Sequence, residues 1–390
     1  MTGNRNRAGE LELYFHIPFC VRKCLYCDFL SGPAGPEEKR RYMEALILET
    51  KERAEACREY LVTSVFLGGG TPSVVESVQI EELLGVVKEY YRLAPDAELT
   101  IEVNPGTVDK EKLAHFRGAG LTRLSIGLQS ANDEELRVLG RIHTWQQFLE
   151  TYQGAREVGF TNINVDVMSA LPGQSLDSYL ATLKKVLSLT PPPEHISAYS
   201  LILEEGTPFF EMAEAGRLEP PDEDTDRAMY HETKRLLALA GYERYEISNY
   251  AKEGFACRHN CGYWRRRDYL GMGLGAASLI NNTRFKNTCN TERYLEDPTG
   301  CREDVEKLSR EEQMEEFMFL GLRLTEGVDP AEFAHCFGCR LENIYGGVIE
   351  KNIRKGLLYR YQRKEDGGDR LALTDLGLDV SNYVMGQFLL

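Results

Sequence analysis

The chain has 390 residues, room for one large domain with a smaller one or for two to three domains, and its 42% hydrophobic and 27% charged content is ordinary globular composition. A net charge of −15 excludes a nucleic-acid binder that works through phosphate attraction. No apolar run approaches the roughly 20 residues of a membrane helix, and Met1–Glu10 is polar with no apolar signal segment, so a cytoplasmic protein with at most peripheral membrane contact is expected.

In chain order, an apolar, strand-like run from Leu11 to Ile17 leads into Cys20, Cys24 and Cys27 at the spacing C-x3-C-x2-C. Thiolates so close can wrap one metal centre, and in a reducing compartment ten cysteines without a secretory signal read as metal ligands rather than disulfides. Iron–sulfur clusters usually take four cysteines. With three, a cubane cluster keeps one iron free, the open position of a catalytic rather than a structural metal. A zinc site, or three buried thiols, is the competing reading of these residues alone.

A turn-rich break (Ser31 to Pro36) precedes a helical pattern from Glu37 to about Tyr60. Thr63–Leu67 reads as a buried strand that ends in Gly68-Gly69-Gly70-Thr71, followed by a helix from Val78 to Tyr91. Further strands are expected at Glu98–Val103, Leu121–Gly127, Asn162–Met168 and His195–Leu201. Helices are expected at Lys110–Arg117, Trp145–Val158, Leu176–Leu187 and Asp224–Leu239. Six strand–helix units imply an α/β fold with a parallel sheet, a partial (β/α)6 barrel rather than a full eight-fold one.

In such barrels the active site lies at the C-terminal ends of the strands. Here those ends carry, in turn, the cysteine loop, three glycines, Glu102-Val-Asn104, Gln129-Ser130, Asp166 and Tyr199-Ser200. Taken singly, each has a plain reading. Glu102 and Asp166 serve as caps or ion-pair partners elsewhere, a triple glycine makes a tight turn, and Arg141 suits a surface ion pair. Together they converge on one rim.

The cysteine stretch, with its Tyr14…His16-Ile-Pro-Phe-Cys20 lead-in, resembles the cluster motif of the HemN/HemW branch of the radical S-adenosylmethionine (SAM) superfamily. The resemblance implies a [4Fe–4S] cluster on Cys20, Cys24 and Cys27, with SAM chelating the free iron. It implies SAM contacts from Tyr14, Tyr26, Gly69, Gly70, Thr71, Glu102, Gln129, Arg141 and Asp166, and from Ser200 and Ala277 by weaker correspondence. Phe29 stands where the HemN pattern has a fourth cysteine, and His259-Asn260-Cys261-Gly262-Tyr263-Trp264 fits the H-N-x-x-Y-W signature of HemW-type heme chaperones. Imidazole is a standard heme ligand, Tyr263 and Trp264 offer flat faces, and Arg265, Arg266 and Arg267 suit propionates. His259 is therefore the expected heme ligand, with Cys257 and Cys261 as thiolate alternatives. A lone histidine is more often simply hydrogen-bonded in a loop, and the arginine run also reads as a solvated face or a contact for anionic lipid.

Three regions are expected: a barrel over residues 1–242, a loop-rich extension over 243–302 that caps its open side and carries the heme motif, and a C-terminal domain over 303–390. A charged helical pattern begins near Glu303, with a capped helix start at Ser309. Two helical segments follow Pro330. Leu357–Arg363 and Arg370–Thr374 then flank the turn Glu365 to Asp369, giving a mainly helical, winged-helix-like unit without the basic cluster of a DNA binder. Cys336 and Cys339 read as a redox pair or as two ordinary cysteines.

The resemblance implies a heme chaperone that delivers heme to recipients such as respiratory enzymes, works as a homodimer and assigns no catalytic residue. Two alternatives share the cofactors. One is an oxygen-independent coproporphyrinogen III dehydrogenase, and the other is a radical SAM enzyme that opens the heme ring.

Overall fold

The structure is a computed structural model describing residues 9–364 and 367–390. The polar residues Met1–Ala8 and the hairpin-turn residues Glu365 and Asp366 lie outside the described residues.

Six parallel strands make the barrel: β1 (Glu10–Ile17), β2 (Leu61–Gly69), β3 (Leu93–Val103), β4 (Arg123–Gln129), β5 (Ile163–Ser169) and β6 (His195–Ser200). Helices α1 (Pro36–Ala54), α2 (Ser77–Tyr90), α3 (Lys110–Gly118), α4 (Asp133–Val138), α5 (Trp145–Glu157), α6 (Leu176–Leu187), α7 (Pro208–Glu214) and α8 (Glu223–Leu239) connect and cover them. Local chemistry sets their starts. Pro36 occupies the first position of α1 with Glu37 and Glu38 in its first turn, and Thr144 and Gln147 form a capping box on α5. The first helix stops at Ala54 and continues only as a short 3-10 turn, Glu55–Cys57, so it is shorter than the sequence pattern suggests.

The strand faces divide by chemistry. Leu13, Phe15, Val65, Leu67, Leu99, Ile101, Leu124, Ile126, Val165, Val167 and Ile196 are buried on the helix side in one apolar cluster. The alternate positions are largely polar and come into register across the sheet: Glu12 beside Ser64, Glu102 beside Ser125, Asp166 beside Ser197. A period of two places them all on the inner face. The barrel therefore has a polar bore.

The extension is not a loop cap. It contributes β7 (Glu243–Arg244), β8 (Asn249–Ala251), α9 (Arg258–Trp264), β9 (Tyr269–Met272), β10 (Ala277–Ile280), β11 (Thr283–Asn287), α10 (Thr291–Glu296) and β12 (Arg302–Lys307). The result is one twelve-stranded sheet, β12-β11-β10-β9-β1-β2-β3-β4-β5-β6-β8-β7, with β9 parallel to β1. Its Leu270, Met272, Phe285 and Tyr294 join the barrel's apolar cluster, so it has no core of its own. The stretch near Glu303, expected as helix, is strand β12. It is an exposed edge strand whose sequence, Arg-Glu-Asp-Val-Glu-Lys, keeps no apolar alternation to announce it.

The C-terminal region packs its own cluster around Phe333, Leu341, Tyr345 and Leu371. It comprises α11 (Arg310–Gly321), α12 (Pro330–Phe337), α13 (Leu341–Arg354), the hairpin β13 (Leu358–Gln362) and β14 (Asp369–Leu373), α14 (Asp375–Asp379) and α15 (Ser381–Met385). Helices α11, α12 and α13 with the hairpin give the winged-helix-like form. Ser309 caps α11 with Glu312 in a capping box. Among the described residues no helix is long and apolar enough to cross a membrane.

Candidate functional site

The C-terminal ends of the barrel strands open into a cavity of about 510 Å3. Cys20, Cys24 and Cys27 line it, together with Tyr26, Gly70, Thr71, Glu102, Gln129, Arg141, Asp166 and Ser200. These residues come from five strand ends and two loops of the sequence, and the fold brings them to one place.

The cysteine loop is anchored at its base. Cys20 N–H donates to Gly32 O at 2.9 Å, Thr71 N–H to Phe19 O at 2.7 Å, and Leu25 N–H to Leu139 O at 3.1 Å. Gly70 permits this contact, because a Cβ there would stand 2.7 Å from Phe19 O. Two donors address the sulfurs: Thr71 Oγ1 lies 3.5 Å from Cys20 Sγ and Arg141 Nη1 3.7 Å from Cys24 Sγ. Hydrogen bonds to cluster sulfurs are among the factors that set reduction potential. All ten cysteines are free thiols. Among the described residues no three His, Cys, Asp or Glu side chains stand close enough to share one metal ion. A cubane cluster asks for something else, one thiolate on each of three irons, and three sulfurs around one open cavity suit that demand.

Arg141 is held by Asn104 Oδ1 at 2.7 Å and by the carbonyl of Gly127. A Cβ on Gly127 would meet Arg141 Nη2 at 2.9 Å, so glycine is needed where the guanidinium passes. Asn104 also donates to Thr71 Oγ1 at 2.7 Å. Gln129 sits at φ +68, a left-handed conformation rare for a non-glycine residue, and its Oε1 accepts from the Tyr199 hydroxyl at 2.9 Å. Asn104 and Tyr199, at the ends of β3 and β6, are site residues that the family resemblance does not assign. Their signal was the strand-end position itself.

Glu102 and Asp166 form the base of the cavity. Removal from water, then the neighbouring Asp166 charge, push Glu102 up to about 8. Burial also raises Asp166, against hydrogen bonds from Asn164 and Ser197. The pair thus favours a proton, or a cation, between its members.

Three expected residues stand apart. Gly69, at φ +107, lies behind the cavity wall, where a Cβ would meet the His16 ring at 2.6 Å. Tyr14 faces a smaller cavity of about 220 Å3 deeper in the bore, which shares Glu102, Ser125, Asp166 and Ser197 with the first. Ala277 is exposed on β10, in the added part of the sheet, and lines neither cavity. Position along the chain does not tell how far an inserted hairpin carries a residue from the rim.

His259 also departs from expectation. Helix α9 enters the bore from below, and its His259, Asn260 and Tyr263 line the smaller cavity there. His259 is 1% exposed, with Nδ1 2.8 Å from Ser64 Oγ and Nε2 2.8 Å from the Tyr263 hydroxyl. Its ring stacks on Phe66 at 5.0 Å. Burial, aided by Arg123, drives it down to about 3, so it is neutral. Both ring nitrogens are engaged, by Ser64 and by Tyr263, and His259 lines the smaller cavity of about 220 Å3. Cys257 and Cys261 are likewise buried, and Cys257 Sγ lies 3.5 Å from Glu98 Oε1. The arginine run is paired: Arg265 with Glu326, Arg266 with Glu316, both at 2.7 Å, and Arg267 with Glu10 at 3.4 Å.

Comparison with known proteins agrees with this geometry. The Radical SAM superfamily profile matches residues 14–186 and the HemN C-terminal domain profile matches residues 308–380. The chain is 37% identical to the heme chaperone HemW of Lactococcus lactis over 97% of each chain. It is 36% identical to that of Escherichia coli over 98% of this chain and 99% of the other. Among solved structures, coproporphyrinogen III oxidase (HemN) from Escherichia coli, a radical SAM enzyme, superposes with a TM-score of 0.83. That match covers 99% of this chain and 91% of the other at 23% identity, a likeness of fold.

Proposed function

The chain belongs to the HemW family of radical SAM proteins, and we propose that it is a heme chaperone that binds a [4Fe–4S] cluster, SAM and heme and delivers heme to heme-requiring proteins such as respiratory enzymes. The observation that carries the reading is the meeting of Cys20, Cys24 and Cys27 with Glu102, Gln129, Arg141 and Asp166 around one cavity. The three thiolates would hold the cluster, whose remaining iron would take the amino and carboxylate groups of SAM. Glu102, protonated when the cavity holds only water, gives up its proton as a ligand ammonium arrives, so one charge replaces another in a site that tolerates little net charge. Gly70 and Thr71 line the cavity, and the missing Cβ of Gly70 lets this strand end close on Phe19 of the cysteine loop. Arg141 holds its place through Asn104 and Gly127 and screens the Cys24 thiolate.

Phe29 at the cavity rim, where the HemN pattern has cysteine, favours the chaperone over the coproporphyrinogen dehydrogenase. The likeness of fold to HemN keeps that second reading in the test. The experiment is anaerobic. The cluster is reconstituted, SAM and reductant are added, and coproporphyrinogen III and hemin are supplied in separate reactions followed by mass spectrometry and absorption. The expected outcome is untouched coproporphyrinogen and intact, bound hemin. Decarboxylated product would establish the dehydrogenase instead, and consumed hemin a ring-opening enzyme.

A further inference from the structure

The end of β4 is under strain. Gln129 holds φ +68, and the bond from Ser130 N–H to Leu128 O, 3.0 Å, spans that one residue. This is a γ-turn of the rare, strained kind. The same carbonyl accepts from His143 Nε2 at 3.1 Å, and the pairing of β4 with β5 slips between Gly127 and Gln129. The turn aims the Gln129 side chain into the cluster cavity, where its Oε1 accepts from the Tyr199 hydroxyl. Such a conformation persists only where its surroundings over-determine it.

Those surroundings are a largely buried polar network behind the cavity wall. Glu135 of α4 is 7% exposed and accepts three hydrogen bonds. Ser130 Oγ and Ser178 Oγ donate at 2.5 Å, and Gln174 Nε2 at 2.9 Å. Ala131 N–H donates to Thr182 Oγ1 at 3.1 Å, and Asn132 N–H to Ser130 Oγ at 3.0 Å. The three residues directly after the turn are thus each fixed. Ser178 and Thr182 belong to α6, so the network ties the end of β4 to the helix that follows β5. Neither Glu135 nor any of its three partners lines the cluster cavity. All three donors to Glu135 are neutral groups. An acid buried among neutral donors is costly to place, which argues for a task that an apolar side chain there could not perform.

We propose that Glu135 is a positioning residue for SAM: through Ser130 it holds the strained turn that keeps Gln129 facing the cavity. The proposal rests on the SAM reading above. With this clamp cut, the strand end relaxes toward ordinary backbone, and Gln129 faces the cavity only part of the time. SAM then has to restore the turn as it binds, so its apparent affinity falls with the fraction of molecules that still hold it. Glutamine in place of Glu135 keeps the clamp, since its Oε1 accepts from Ser130 and Gln174 while its Nε2 donates to Ser178 Oγ. Alanine does not.

The test is equilibrium dialysis of SAM against the full chain after anaerobic cluster reconstitution, with iron per chain measured in every variant. Glu135→Ala should bind SAM about tenfold more weakly at unchanged iron content, a loss of the size that one strained residue can store. Ser130→Ala, which cuts the link to the turn, should bind about fivefold more weakly. Glu135→Gln should stay within about twofold of the wild type. The effects should also fail to add. Glycine takes the left-handed turn without strain and carries no amide, so on a Gln129→Gly background Glu135→Ala should change SAM binding by less than about twofold. The proposal falls, with the SAM reading intact, if Glu135→Ala and Ser130→Ala bind SAM as the wild type does. It falls likewise if Glu135→Ala weakens binding equally on both backgrounds, or if its iron content drops in step with its SAM binding. Where Glu135→Ala gives no soluble protein, Ser130→Ala and Glu135→Gln decide the matter. If the wild type binds no SAM, the SAM reading fails and the proposal with it.

Discussion

The two ends of the barrel bore are built from the same six strands and the same alternation, yet they end up in opposite states. At the C-terminal end the polar side chains surround an open cavity, and Glu102 is held near a proton by burial. At the N-terminal end α9 enters the bore and engages part of its polar lining, while Glu12, Thr100 and Arg123 keep buried polar atoms without a hydrogen-bond partner. His259 pairs with Ser64 and Tyr263, and His195 pairs with Asn164 and Tyr245 at 2.6 and 2.8 Å. A parallel barrel with polar inner positions has to fill them with ligand or with its own chain, since bare polar groups in a dry interior are costly. The open end is the one whose groups answer a ligand. The closed end is held by its own chain, through α9 packed against β2.

The comparison can be broken at either end. The largest effect belongs to the open end: Cys24→Ala should abolish cluster retention, measured as iron and sulfide per chain after anaerobic reconstitution, while the melting temperature of the cofactor-free protein stays near the wild-type value. Normal iron content in that variant would remove Cys24 from the ligand set.

At the closed end, Gly262→Ala should be the most damaging single methyl. A Cβ at that position would overlap the Glu12 carboxylate, which is fully buried and kept near its neutral form by desolvation. A loss of about 3 kcal/mol or more is expected in denaturant unfolding, or no soluble protein at all. Unchanged stability would mean that α9 does not press on β1 as described.

His259→Ala should cost somewhat less, about 2–4 kcal/mol, because it leaves a cavity and strands Ser64 and Tyr263 without their partner. The loss should be smaller at pH 6 than at pH 8, by about 1 kcal/mol, since below 6.5 the unfolded chain takes up a proton on this imidazole and the folded chain does not. A loss that grows on acidification would show the histidine to be charged in the folded protein.

Glu102→Gln should do the reverse in the cofactor-free protein. With the folded-state value raised from 4.5 to about 8, the folded chain binds more protons than the unfolded one between those limits. The stability from this group is therefore full below pH 4.5 and is lost as pH rises through 8. The glutamine variant should flatten that decline and gain about 2 kcal/mol at pH 9, half or less of what the shift alone would give. It should also bind SAM at least tenfold more weakly by equilibrium dialysis. Equal pH profiles for the two proteins would show that Glu102 is ionised throughout.

The strand–helix alternation and the rim were legible because parallel βα units announce themselves by period and glycine turns, and because cysteines three and four apart in one loop cannot help but face one centre. Asn104 stands at a strand end in the sequence, but its role is not legible there, because it comes from Arg141 and Thr71, which arrive from other loops. Strand β12 read as helix because an exposed edge strand shows charge without alternation. Ala277 lines neither cavity and lies on β10 beside β9, whose pairing on β1 depends on contacts far apart in sequence.

By itself, then, the sequence determined the family, the cluster ligands expected of it and the barrel that gathers them, since these follow from local spacing and periodicity. Only the tertiary structure decided which polar groups remain free. His259 looked like a ligand in the sequence and is spent on Ser64 and Tyr263, whereas Arg266 looked like one of a surface run and keeps a buried nitrogen unpaired. Whether a side chain can meet a ligand depends on what already meets it, and those partners stand up to about two hundred residues away along the chain.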